Sequence, residues 1–388
     1  MKYILQLIRV ITGILFFFSG LVKANDPLGL SYKMQEFFEV WHFPGWDHLT
    51  LPMAIAMNAF EIIAGFALLL GWQFRLFSWL LFLLIVFFTF LTGYTYFTGL
   101  PKNCGCFGDC LPISSLTSFL KDLVLLIFIG LLIARRQQIR SVIPAKAAGF
   151  ILLLVTAGSL YFQYYTLRHL PVVDCLPFKK GNNILEKRNI PPGSVPDSFA
   201  IRFIYTKGGK EYEFSQLDLP ADLGTYTFVS RRDRLIRKGN AEAPIKGFDL
   251  KGISGADSTL PVLLQPTVLL LIAEKLPEKD TGWKEKFERV YKAAAQKNIP
   301  AFIICGKPED AYRLISGTSF ASLPVFTCDN TTIRTAARAN PTLYILQQAT
   351  VKGKWSGADL SAAEQLLTGI PAMPAPVKDS LSIQPVTE

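Results

Sequence analysis

Charge is scarce in this chain. Only 18% of its 388 residues are Asp, Glu, Lys or Arg, half are hydrophobic, and the mean hydropathy is +0.31. That balance excludes an ordinary soluble protein. A basic stripe is missing as well: the net charge of +10 divides evenly, with 12 Lys/Arg against 7 Asp/Glu up to residue 168 and 28 against 23 beyond it. A surplus spread so thinly describes solvated surface and membrane-flanking residues, so nucleic acid is not an expected partner. No internal repeat or broken helix argues for a transporter. Six cysteines are present, but none form a Cys-x-x-Cys pair.

The apolar excess is confined to residues 1–168. A transmembrane helix needs about 20 apolar residues, and the segments near 3–22, 53–72, 76–97, 115–134 and 147–166 qualify. Lys2 ahead of the first apolar run raises the possibility of a cleaved leader. Arg9 interrupts that run and no small-x-small site follows, so a retained helix is expected. Arg75 lies in one tight turn, and Arg135, Arg136, Arg140 and Lys146 fill another. Positive residues in short loops mark the cytoplasmic side. This sets the N-terminus in the cytoplasm and the C-terminal half outside, in the periplasm of a bacterial inner membrane. All six cysteines (Cys104, Cys106, Cys110, Cys175, Cys305 and Cys328) then face the compartment in which disulfides persist.

Three polar residues stand where they are expensive. Glu61, in MAIAMNAFEIIAGFALLLGW, is about 12 Å below the outer end of its span, and Lys121 and Asp122, in LTSFLKDLVLL, are about 9 Å deep at 1.5 Å per residue. Ionised groups in hydrocarbon face the bundle interior and pair. A Glu61 to Lys121 contact is therefore expected, with Asn58 one turn away and Lys23 nearby at the end of the first span. Snorkelling of Lys121 and Asp122, with Glu61 merely locking two helices, is the competing reading.

This cluster would sit beneath the loop NCGCFGDC, Asn103 to Cys110. Its glycines let several sulfurs come together. It could be a redox loop whose third sulfur resolves mixed disulfides, or a structural staple capping two helices. A metal site is not expected, because zinc wants four ligands and neither His169 nor Cys175 has ligand spacing. Cys175, a few residues beyond the last span, is the best candidate disulfide partner for the loop cysteines.

FFFSGLVKANDPLG, FEIIAGFALLLGWQFR and above all CGCFGDCLPISSLTSFLKDLVLL resemble the DoxX and MauE group of small membrane proteins over about residues 1–165. The resemblance implies a helical bundle, here of five spans, and a role in quinone-coupled electron transfer or thiol oxidation. The residues it carries over are Glu61, Cys104, Cys106, Cys110, Lys121 and Asp122.

Beyond the bundle, residues 169–260 read as a connecting segment. It contains a β-hairpin, AIRFIYTKGGKEYEF, with a Lys-Gly-Gly-Lys turn. Residues 261–370 alternate short apolar runs with amphipathic ones and end in a strand pair. This order resembles the thioredoxin fold, with Asn340-Pro341 where that fold keeps a cis proline. The dithiol of that fold is absent: the run after the first strand reads AEKLPEKDTGW. Cys305 and Cys328 read as small buried hydrophobes. The Pro-rich tail, 371–388, is expected to be disordered. The expected architecture is thus an all-α membrane bundle followed by an α/β thioredoxin-like domain without its dithiol.

Two functions compete. In one, the cysteine loop takes electrons from a periplasmic dithiol and passes them to a quinone near Glu61 and Lys121. In the other, the bundle is a non-enzymatic scaffold that presents a redox-inactive domain to a periplasmic partner.

Overall fold

A computed structural model describes residues 2–43, 45–101, 105, 108–111, 113–237, 239–252, 254–278 and 282–374. Its first part is helical: α1 (Lys2–Asn25), α2 (Pro27–Val40), α3 (Asp47–Leu70), α4 (Phe74–Thr98), α5 (Ser115–Ala134) and α6 (Ala145–His169). Among the described residues five of these, all but α2, are long and apolar enough to cross a membrane. They coincide with the five expected spans, α3 beginning earlier than expected, at Asp47. Leu83, Ile127 and Phe150 are each 62% exposed, which hydrocarbon tolerates and water does not. The chain is a membrane protein.

Glycines set the closest helix contact. A Cβ on Gly65 of α3 would lie 2.6 Å from the Phe17 backbone nitrogen and 2.8 Å from the Gly13 carbonyl of α1. Small residues let two backbones approach where lipid offers no hydrophobic drive. Leu68, Leu81, Ile85, Ile129 and Leu132 complete the bundle core.

Helix α2 was not among the expected elements, since 14 residues with mixed polarity fall below any span signal. Its start is nonetheless written locally. Asp26 caps it by accepting from the Gly29 N–H at 3.0 Å, and Pro27 opens the first turn. Phe37 is buried, and Trp41 packs on Phe90 and Tyr94 of α4.

The second part begins with α7 (Ile184–Lys187), then β1 (Ser198–Lys207), β2 (Lys210–Ser215) and β3 (Thr227–Arg237). These strands form an antiparallel sheet in the order β2-β1-β3. Gly208 and Gly209 take positive φ in the β1–β2 turn, as the Lys-Gly-Gly-Lys signal implied. The third strand is an addition to the expected hairpin.

Next come α8 (Thr259–Leu263), β4 (Val268–Ala273), α9 (Trp283–Ala295), β5 (Ala301–Cys305), α10 (Pro308–Ile315), β6 (Val325–Thr327), α11 (Asn330–Ala336), β7 (Thr342–Gln347), β8 (Thr350–Ser356) and α12 (Leu360–Thr368). A five-stranded sheet runs β6-β5-β4-β7-β8, with β4, β5 and β6 parallel and β7 and β8 antiparallel to their neighbours. β4 and β5 are buried along their whole lengths, which is why both are continuous apolar runs. Trp283, Phe287 and Phe320 cover one face. The other face is covered by Ile333 and Ala336 together with Phe178, Ile184, Ile245 and Phe248. The segment before residue 261 is therefore more than a connector, because it supplies part of this core. The Asn340–Pro341 bond is cis. The tail beyond residue 374 lies outside the described residues.

Candidate functional site

The polar residues singled out within the spans form two centres. In the first, Lys23 of α1 makes an ion pair with Glu61 of α3, the two side chains being 3% and 0% exposed. Oε2 of Glu61 is buried with no hydrogen-bond partner among the described residues. In the second, Lys121 lies 2.5 Å from Asp122 Oδ1 on α5, and the Thr92 hydroxyl of α4 donates to Asp122 Oδ2 at 3.0 Å. The expected Glu61–Lys121 pair is thus replaced by Lys23–Glu61 and Lys121–Asp122. Depth along a helix can be read from sequence, but the direction in which a side chain points around the axis depends on helix packing. Asn58, expected in the same cluster, instead donates from Nδ2 to Gln163 Oε1 of α6 at 3.1 Å.

Between these centres lies a cavity of about 150 Å³, walled by Phe37, Trp41, Met57, Ile85, Phe88 and Leu125. Lys23, Thr92, Lys121 and Asp122 supply its polar lining, and Glu61 stands behind Lys23 outside that lining. Met53 and Phe87, both on the bundle's outer surface, also line it, so the cavity reaches the lipid side. Lys33 of α2 and Gly105 of the cysteine loop line it at the other end.

Above it, Cys110 and Cys175 are joined in a disulfide, their Cα atoms 4.9 Å apart. Cys104 and Cys106 lie outside the described residues. The segment carrying Cys175 is fixed on both sides. Asn25 at the end of α1 donates to the Val173 carbonyl at 2.9 Å and accepts from its N–H at 3.0 Å. Asp174 accepts from Lys354 of β8 at 3.0 Å. Burial pulls the Lys354 pKa below that of ordinary lysine, against the opposing pull of Asp174.

The cysteine loop is held by Arg338, just after α11. Its guanidinium reaches Asp26 at 2.8 Å and Asp109 at 2.9 Å. Burial disfavours the charge on Arg338, but the two carboxylates outweigh it, so its pKa lies above that of ordinary arginine. Beside it Arg334 pairs with Glu274, which follows β4. Tyr32 of α2 lies under both guanidinium groups, 5.2 and 5.3 Å from ring centre to carbon. Burial, and next the charge of Glu274, push its phenol up to about 12. The end of the five-stranded sheet where β4 finishes is thus seated on α2 and on the cysteine loop.

His169 and Cys175, weighed above as ligands, have other partners: His169 contacts Asp359 at 2.8 Å, and Cys175 is bonded to Cys110. Gln163 could have been found by the rule that found Glu61, since it interrupts SLYFQYY. Nothing in the local sequence marks Thr92 or Arg338.

Residues 1–135 match the family described as methylamine utilisation protein MauE, and residues 199–238 match a domain of unknown function, DUF8463. The N-terminal third of the chain is therefore similar to MauE, and among the described residues five helices are long and apolar enough to cross a membrane. No curated protein and no solved structure matches the chain.

Proposed function

We propose that this protein moves electrons between a dithiol on the outer, periplasmic face of a bacterial inner membrane and a quinone in the bilayer. The observation that carries the reading is the placement of the Cys110–Cys175 disulfide directly above the bundle cavity. A void of about 20 Å³, room for one water molecule, touches both sulfurs' residues, and Lys23, Lys33 and Gly105 line it as well as the cavity below. Cys104 and Cys106 flank Gly105 in sequence and are the remaining redox candidates.

The residues around the cavity suit a quinone. A cavity of this size admits a six-membered ring, its walls are apolar, and its lipid-side opening leaves room for an isoprenoid tail. A quinone bound there supplies a two-electron, two-proton acceptor. Lys121 and Lys23 would hold ammonium groups against developing negative charge on a ring oxygen. The Thr92–Asp122 bond fixes the carboxylate that orients Lys121. Glu61 Oε2, without a hydrogen-bond partner among the described residues, is where a proton can be held behind Lys23. The apolar walls exclude water from these exchanges.

In this reading the arginine-bearing turns face the cytoplasm. The five-stranded module is thioredoxin-like, as the parallel β5-β4 pair beside the antiparallel β7-β8 pair supports. With Glu274 and Arg334 where a dithiol would sit, it serves as a docked cover. A static scaffold is the second reading, favoured by the ion pairs of Arg338 and Lys354 that hold the disulfide segments in place. Redox titration with thiol trapping separates the two. An exchanging Cys110–Cys175 pair equilibrates with a dithiol buffer, whereas a staple stays oxidised until strong reductant is added.

A further inference from the structure

The two sulfurs of the Cys110–Cys175 disulfide are not equivalent. Besides the void beneath it, the disulfide adjoins a second space, a cleft of about 340 Å³ between α2 and α11. One wall carries Tyr32, Glu36 and Glu39, and the other Thr331, Arg334 and Arg338. Cys175 lines both cleft and void, while Cys110 lines the void alone. A nucleophile entering through the cleft therefore meets Cys175 first, while Cys110 faces the void that Lys23 lines and the cleft does not share.

We propose that this cleft receives an extended peptide segment bearing two thiols and that Cys175 is the sulfur it attacks; the inference rests on the electron-transfer reading above. Two features select a peptide. The cleft's volume is at the lower end of ligand sites. Its lining mixes charged and hydroxyl side chains of both helices with the apolar surface of Leu176, Pro177 and Pro244, so it suits a ligand bringing donors and acceptors along a backbone together with apolar side chains.

The exchange balances without a further reagent. A donor thiolate attacks Sγ of Cys175, the Cys175–Cys110 bond breaks, and the electron pair leaves on Cys110 Sγ, which takes up the proton the donor released. The donor's second thiolate then attacks its own sulfur in the mixed disulfide and displaces Cys175, which is protonated in turn. The donor departs as a disulfide, and Cys110 and Cys175 remain as two thiols, having gained two electrons and two protons.

Two measurements on the detergent-extracted full chain test this. First, the wild-type protein is treated with a decapeptide containing one cysteine, which can attack but cannot resolve, quenched in acid and mapped by mass spectrometry. The adduct is expected on Cys175 with Cys110 free; an adduct on Cys110 would overturn the proposal. Second, Cys110→Ser and Cys175→Ser leave one thiol of the pair each, and both are treated with the same peptide and with glutathione, activated as thionitrobenzoate disulfides. The peptide should label Cys175 at least about tenfold faster than it labels Cys110, because access controls exchange. Equal rates at the two sulfurs, or glutathione labelling Cys175 as fast as the peptide does, would contradict it. Peptide adducts on Cys175 in a protein that transfers nothing onward to a quinone would sink the electron-transfer reading while leaving the cleft assignment standing.

Discussion

Arg338 and Asp109 lie 2.9 Å apart although 229 positions separate them in the chain. The guanidinium is 5% exposed and also holds Asp26, so a single side chain ties the sheet module to both the cysteine loop and the start of α2. Removing one partner of a buried pair costs about 3–5 kcal/mol. Asp109 is 43% exposed, which lowers that figure to roughly 2–3 kcal/mol for Arg338→Met. Thermal unfolding in detergent should show the loss, with Arg338→Lys recovering part of it, since lysine keeps the charge without the planar fork. An unchanged midpoint in Arg338→Met would show that the bridge holds nothing.

The Lys23–Glu61 pair predicts a non-additive cycle. Lys23→Met leaves a carboxylate buried in the bundle without its cation and should destabilise by about 3–5 kcal/mol. Glu61→Gln in the same chain removes that stranded charge. The double variant is expected to unfold above Lys23→Met in temperature; additive losses would refute the pairing.

Helix contact at Gly65 is equally specific. Gly65→Ala drives a methyl group into the Phe17 backbone, whereas Gly130 has nothing within 4 Å of where a Cβ would stand. Overpacking costs about 1–3 kcal/mol, so Gly65→Ala should lower the unfolding midpoint while Gly130→Ala leaves it in place.

Alkaline pH should loosen the sheet module and its seat on α2. Burial raises Cys305 to about 11 and Cys328 to about 12 from an ordinary 9.0, and Tyr32 to about 12 from 10.0. Each group gives up its proton more readily when unfolded, so its contribution to stability is complete below the unfolded value and fades as pH rises from about 9 to 12. The unfolding midpoint should fall across that window. In the native protein Cys305, which is buried, should resist iodoacetamide at pH 8, with labelling appearing only in denaturant, whereas Cys328 is only half-buried, short of the expected burial; prompt native labelling of Cys305 would contradict its burial.

Legibility in the sequence followed the range of the forces involved. The five spans and the strands of the larger sheet are written in local runs such as TVLLLIA and AFIICG, and both were readable. Lys121 pairs with Asp122 and not with the expected Glu61 because the rotation of α5 about its own axis depends on contacts such as Gly93 against Phe119, which no single segment encodes. Strand β3 carries no strand signal in the sequence, because TFVSRRDRLIR is exposed along nearly its whole length and shows no alternation. Arg338 was invisible for the same reason that it matters: its partners sit in loops far away in sequence.

The central claim is that Cys110 and Cys175 communicate with a quinone in the bundle cavity. Its most direct test is anaerobic: reduce the purified protein with a dithiol, remove the dithiol, add a soluble short-chain benzoquinone, and count Cys110 and Cys175 thiols by trapping over time. The account predicts that the quinone restores the disulfide as it becomes hydroquinone, and that Lys121→Met slows this by roughly ten- to a hundredfold. Thiols that persist in the presence of quinone, or a Lys121→Met variant that reoxidises at the wild-type rate, would contradict it.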